Sequence, residues 1–202
     1  MISNVGRIWS LLQKNLLGAL EVYKIEGGVG SSPLTVTRFW STQLETKPTS
    51  ILDFCVKDYV IFYLSDHLGR IHKYAFDSKL KKHPYLVSFH LTKVRTTQVL
   101  KENIIKLIQV SDTLILALGP TSIRVYSMAT DQVIGGGSLS ARLDTSSLLD
   151  GDYSDTHDLC CLLTTSGKVF IYKVSSDGKP IYIGHNSDNE DSHPTHIRAY
   201  GR

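Results

Sequence analysis

His185, His193 and His196 stand close to Asp188, Glu190 and Asp191, and imidazoles mixed with carboxylates are a donor set that can ligate a divalent cation. The run between them, AsnSerAspAsnGluAspSer (186–192), has no apolar residue to hold such ligands in place. It predicts a flexible loop over 185–196 and no metal. No cysteine falls at the spacing of a structural zinc site. LeuLeuAspGlyAspTyrSerAsp (148–155) is also acidic, but it lacks the regular ligand positions and closing Glu of a calcium loop. A second flexible loop is expected there, over 146–157.

GlyGlyValGlySerSer (27–32) and IleGlyGlyGlySer (134–138) invite a phosphate-loop reading. Neither is followed by a convincing helical pattern or by Gly-Lys-Ser/Thr, so the backbone amides of a helix N-terminus are not expected there, and no cofactor is expected. ThrSerGlyLys (165–168) has the wrong order for that motif. No Gly-x-Ser-x-Gly occurs, and because triads assemble in space rather than in sequence, catalytic residues stay unassigned. Asp53, inside IleLeuAspPhe, is an acid in an apolar strand; the reading is that it ties a neighbouring turn, with catalysis as the competing role. Cys55, Cys160 and Cys161 cannot all pair, which suits a reducing compartment. On a strand, the adjacent Cys160 and Cys161 point to opposite faces.

With 42% apolar and 20% charged residues, the 202-residue chain has the composition of a soluble globular protein. Its 22 basic and 19 acidic residues leave a formal charge of +3, which announces neither a nucleic-acid nor an anionic-membrane surface. LysLeuLysLys (79–82) followed by His83 reads as a solvated loop. No apolar run is long enough for a membrane helix. Residues 1–20 carry no acid, two bases (Arg7, Lys14) and helically spaced Ile8, Leu11, Leu12 and Leu16. They predict a short helix or strand lying on the domain, against a mitochondrial targeting helix as the competing reading.

What must position any site is a repeat. LEVYKI (20–25), IHKYAF (71–76), IRVYSM (123–128) and VFIYKV (169–174) share an apolar first residue and a fourth-place tyrosine: Tyr23, Tyr74, Tyr126 and Tyr172. The period is roughly 50 residues, the length of a several-stranded unit. The second unit shows four short strands, SILDFCV, DYVIFYLSD, GRIHKYAFD and YLVSFHLTKV, and the third repeats the order, with a weaker fourth strand in GGSLSARL (136–143). The fourth unit offers DLCCLLTT, GKVFIYKV and PIYIGH, and the first offers GALEVYKI and PLTVTRFWST. Runs such as VIFYL, LILAL and LCCLL are apolar throughout, as strands covered on both faces are. The following strands alternate, as strands with one wetter face do. The fold class predicted is all-β and β-propeller-like, with about three to four four-stranded blades near 1–45, 46–98, 99–145 and 156–202, in one propeller region over 1–202.

The turns SerAspHisLeuGly (65–69), GlyProThrSer (119–122) and ThrSerGly (165–167), each followed by an apolar strand, resemble the WD-repeat family. No unit has Trp-Asp, and Gly184-His185 is the one Gly-His dipeptide, so the His–Asp network of that family is not carried over to any residue. Residues 17–77 also resemble the N-terminal part of the diphthine methyltransferase family, through LeuGlyAlaLeuGluValTyr (17–23), ThrSerIleLeuAspPhe (49–54) and LeuSerAspHisLeuGlyArgIle (64–71). That resemblance implies hydrolysis of the diphthine methyl ester on elongation factor 2. The later Trp-rich and Gly-Gly-Asp-Asp blades of that family have no counterpart here.

Fewer than four full blades do not close a ring, so an incomplete propeller is expected: one segment of a longer propeller, or an arc completed by self-association or by another chain, unless degenerate strands go unread in the sequence. The functional expectation is a protein-binding scaffold or adaptor subunit in the cytoplasm or nucleus, with no membrane or nucleic-acid partner. Ester hydrolysis is the alternative. No aromatic is assigned as a contact; Trp40, in ArgPheTrpSerThr, is the first candidate, and burial between blades is the fate expected of a strand tryptophan.

Overall fold

The computed structural model describes residues 7–14, 17–26, 35–56, 59–77, 91–186 and 196–197. The chain divides into two units, Met1–Pro48 with Leu80–His90, and Thr49–Lys79 with Leu91–Arg202.

The first unit holds a three-stranded antiparallel meander: β1 (Arg7–Lys14), β2 (Leu17–Glu26) and β3 (Thr35–Gln43). Helical spacing near the N-terminus is overruled by pairing, since every residue of β1 has a partner in β2, from Arg7↔Lys24 to Lys14↔Leu17. Backbone groups satisfied across a ladder outweigh a weak local periodicity. A bulge between Val22 and Tyr23 interrupts the β2–β3 register. The side chains of Tyr23, Trp40 and Cys55, the basic stretch 79–83 and the Gly-rich stretch 27–32 lie outside the described residues.

Three four-stranded antiparallel sheets make up the second unit, each a simple meander. The first is β4 (Pro48–Val56), β5 (Tyr59–Asp66), β6 (Arg70–Asp77) and β7 (Leu91–Gln98), with Pro48 at the unit boundary. The middle sheet is β8 (Lys106–Gln109), β9 (Leu114–Leu118), β10 (Ser122–Ser127) and β11 (Gln132–Ser138). After the short helix α1 (Ser140–Leu143) comes the last sheet, β12 (Leu148–Ser154), β13 (Leu159–Thr164), β14 (Val169–Val174) and β15 (Pro180–Asn186).

All five residues of β9 are buried, as its unbroken LILAL run requires. The two-residue period of a strand divides them between two cores. Ile115 and Ala117 join Tyr63, Ile71, Leu107 and Tyr126 in one, while Leu114, Leu116 and Leu118 join Cys160, Leu162, Phe170 and Tyr172 in the other. A single strand thus couples the middle sheet to both of its neighbours.

Two expectations are corrected. The stretch 146–157 is not a flexible loop, because β12 fills most of it. Its loop-like composition has a packing cause: a Cβ on Gly151 would lie 2.9 Å from Leu162 Cδ2 and 3.0 Å from Ile108 Cδ1, and the buried Asp150 is paired with Lys106. Strand β11 also lies earlier than GGSLSARL suggests, and residues 140–143 turn into α1 instead. Of the loop expected over 185–196, His185 and Asn186 close β15, and 187–195 lie outside the described residues.

Candidate interaction site

The β5–β6 hairpin is built around Asp66, which is fully buried. Its Oδ1 accepts the backbone N–H groups of Leu68 (2.9 Å) and Arg70 (3.0 Å). Arg70 Nε and His72 Nε2, each at 2.8 Å, point at Oδ2. Burial opposes the charge, but the hydrogen bonds from His72 and Arg70 outweigh it and hold the carboxyl well below the ordinary carboxylate range. An ionised acceptor at Oδ2 places a proton on Nε2 of His72, so in the neutral ring Nδ1 accepts the hydroxyl of Thr96, 3.0 Å away. Carboxylate, imidazole and hydroxyl therefore stand in line, with Thr96 exposed at the end.

Sequence reasoning put Asp66 in a turn and His72 on the following strand, and missed the pair. The structure does contain a buried His–Asp contact, but it is made within one sheet, where β6–β7 pairing sets Thr96 opposite His72. Alternation along β6 is the signal that could have found it: His72 and Tyr74 share one face.

A second network ties the first and middle sheets of this unit. Lys73 Nζ reaches both carboxylate oxygens of Asp131 (2.8 and 2.9 Å), and Tyr126 donates to Oδ1 at 3.0 Å. Tyr63 packs edge-on against Tyr126, with ring centroids 6.0 Å apart. Its hydroxyl pKa is pushed up to about 12, first by burial and then by the Asp131 charge. The last sheet has its own anchor. Asp150 on β12 accepts Lys106 Nζ and the Gly151 N–H at 2.8 Å each, and the Ile197 N–H at 3.1 Å.

The histidines weighed as metal ligands have other neighbours. His196 lies by Asp150 at 3.4 Å, whereas His185 stacks on Tyr182 and approaches Phe170. His193, Asp188, Glu190 and Asp191 lie outside the described residues. Among the described residues no cluster of three metal-binding side chains occurs. Asp53 lies on β4, where its side chain is exposed.

The last sheet has two unlike faces. Cys160, Leu162, Phe170 and Tyr172 enter the core shared with the middle sheet. Opposite them, Leu163 is covered, but Leu159, Cys161, Val169 and Ile171 are half-buried. Ile181, across from Lys173 on β15, is 50% exposed, and Ile183, the extra residue of a bulge, is 56% exposed. Lys173 pairs with Asp158 at 3.0 Å along this face. Contiguous apolar surface of this kind is a feature of interaction sites. Among the described residues, no helix is long and apolar enough to cross a membrane.

No protein-family model and no curated protein matches the chain. Solved structures do. Sqt1 of Chaetomium thermophilum, bound to the N-terminus of a ribosomal protein, matches with a TM-score of 0.61 at 11% identity, over 88% of this chain and 49% of that one. A humanized mutant of the Polycomb Repressive Complex 2 of the same organism matches with 0.65 at 10% identity, over 98% of this chain and 46% of that one. The N-terminal domain of Nup170 in its complex with Nup53, also from that organism, matches with 0.53 at 12% identity, over 91% and 28%. This chain spans about half the length of the first of these. Successive four-stranded meanders, tyrosines at one place in each and a shared likeness to WD-repeat propellers make the fold that of a divergent WD-repeat-like β-propeller.

Proposed function

We propose that the protein is a protein-binding scaffold or adaptor subunit of a larger complex, working in the cytoplasm or nucleus. The observation that carries this reading is the apolar face of β13–β15, with Ile181 and Ile183 at least half exposed. The fold supports it by analogy, since the similar Sqt1 and Nup170 structures hold protein partners. The test is affinity purification of the full chain with quantitative mass spectrometry, beside the double variant Ile181→Asp/Ile183→Asp. A partner recovered in stoichiometric amount by the wild type, and at least tenfold less by a variant of unchanged melting temperature, supports the reading. A chain recovered alone sinks it.

A second reading is hydrolysis of the diphthine methyl ester on elongation factor 2. What favours it is the line of Thr96, His72 and Asp66, the order of nucleophile, base and orienting acid in acyl transfer. Thr96→Ala and His72→Ala would each abolish methyl-ester release from the modified factor. No release by the wild-type chain removes this reading and leaves Asp66–His72 as structural polar contacts.

A further inference from the structure

We infer that His196 and Ile197 open the first strand of a further repeat, seated on β12 as β8 is seated on β4, with Asp150 as the acceptor that sets its register. One place recurs along the first strands of the sheets. Opposite the repeat tyrosines Tyr74, Tyr126 and Tyr172 stand Phe62, Ile115 and Cys160, and three residues further along these second strands come Ser65, Leu118 and Leu163. Lys106 pairs with Leu118 and Asp150 with Leu163. Ser65 meets the Thr49 hydroxyl at 2.9 Å and donates to the Ser50 carbonyl at 3.5 Å. Ser50, Lys106 and Asp150 thus hold one place, each a polar residue followed by an apolar or small one: Ile51, Leu107 and Gly151.

From this place each sheet is tied to the next. Ser50 Oγ on β4 accepts the Leu107 N–H of β8 at 3.1 Å, across 57 residues of sequence. Lys106 Nζ on β8 donates to Asp150 Oδ1 on β12 at 2.8 Å. Asp150 then repeats the first tie with its other oxygen: Oδ2 accepts the Ile197 N–H at 3.1 Å, across 47 residues, and His196 Nδ1 stands 3.4 Å away. Both separations lie near the period of roughly 50 residues. In both, the donor is the apolar residue that follows a basic one, Leu107 after Lys106 and Ile197 after His196.

The electrostatics of Asp150 favour that occupant. Asp150 is buried, and burial opposes its charge, but the hydrogen bonds from Lys106 and from the Ile197 and Gly151 N–H groups hold its carboxyl below the ordinary carboxylate range. Lys106 and the Gly151 N–H both fall on Oδ1. Oδ2 is left to the segment at 196–197, and an ionised oxygen buried without donors is costly, so the seat selects a strand that brings a backbone N–H to it. This inference does not draw on the scaffold reading. The seat is on β12, whereas Ile181 and Ile183 lie on β15, at the opposite edge of the last sheet.

The test is amide hydrogen exchange and backbone chemical shifts of the full chain, read residue by residue by NMR. We expect extended-strand shifts at His196 and Ile197, and an Ile197 N–H that exchanges at least tenfold more slowly than an unstructured amide. Asp150→Ala should speed exchange at Ile197 at least tenfold and leave Leu107 unchanged, and Ser50→Ala should do the reverse. Interchange of the two places is the stricter measure: His196→Lys with Ile197→Leu installs the pair found at 106–107, and it should keep both the protection at 197 and the melting temperature. Coil shifts with an unprotected Ile197 overturn the inference, and so does loss of protection on interchange. Protection at Ile197 that survives Asp150→Ala places the acceptor elsewhere and also overturns it. If Asp150→Ala does not fold, the shifts and the interchange decide alone.

Discussion

Tyr126 and Tyr172 hold the same place in successive sheets, and both rings are buried, but their hydroxyls meet different fates. Tyr126 donates to Asp131, which also holds Lys73. The hydroxyl of Tyr172 is buried and, among the described residues, has no hydrogen-bond partner. Removing a satisfied hydrogen bond to a charged group costs about 2 kcal/mol, whereas removing an orphaned hydroxyl relieves a desolvation penalty of order 1 kcal/mol. Tyr126→Phe is therefore expected to lower stability in urea unfolding, and Tyr172→Phe to leave it unchanged or raise it. Equal losses in both variants would mean that Tyr172 finds an acceptor in solution. The repeat of the tyrosines was legible in the sequence because ring burial depends on strand position alone. The fate of each hydroxyl was not, since it turns on where one aspartate of the following turn points: Asp131 folds back to Tyr126, while Asp177 bonds instead to Ser175 and Lys179.

Strands and turns were the most readable elements, because β-branched and aromatic runs separated by Gly, Asp and Ser have a local cause. β12 escaped notice for a non-local one. Its Asp150 and Gly151 suit contacts with Lys106, Leu162 and Ile108, residues from other strands, so the composition of the segment alone looked like a loop. The turn glycines show the same contrast between local and non-local demand. Gly69 has φ of +79°, and a Cβ there would lie 2.2 Å from the carbonyl oxygen of Leu100 and 2.4 Å from that of Glu102. Backbone cannot swing aside as a side-chain tip can, so Gly69→Ala combines a left-handed strain of about 1–3 kcal/mol with a clash. At Gly184 an added methyl group would meet nothing within 4 Å, and the residue sits in a strand with ordinary φ. Gly184→Ala is expected to be neutral or to stabilise by about 0.5 kcal/mol through the unfolded chain. Thermal melting of the two variants checks this, and a Gly184→Ala loss as large as that of Gly69→Ala would show that the β14–β15 register differs from the one described.

The three sheets of the second unit form a short stack in which the middle sheet is shared, so its central strand decides whether they unfold together. Ile115 is 0% exposed and belongs to the core with Tyr63 and Ile71, on the side away from the last sheet. Leu116, its neighbour in the chain, is equally buried in the core with Cys160 and Phe170. In a linear array each unit is held by its own stability and by its nearest interfaces, and a defect spreads only as far as those couplings allow. Truncating either residue to alanine costs roughly 2–5 kcal/mol. Because both sit on the five-residue strand β9, Ile115→Ala is expected to speed amide hydrogen exchange in β13 and β14 as well as in β5 and β6, although it touches only the core nearer β5 and β6. Faster exchange confined to β5 and β6 would mean that the last sheet holds without the middle one. In that case a partner could bind or release the last sheet without disturbing the rest of this unit; with shared exchange, occupancy of its open face would stabilise all three sheets at once.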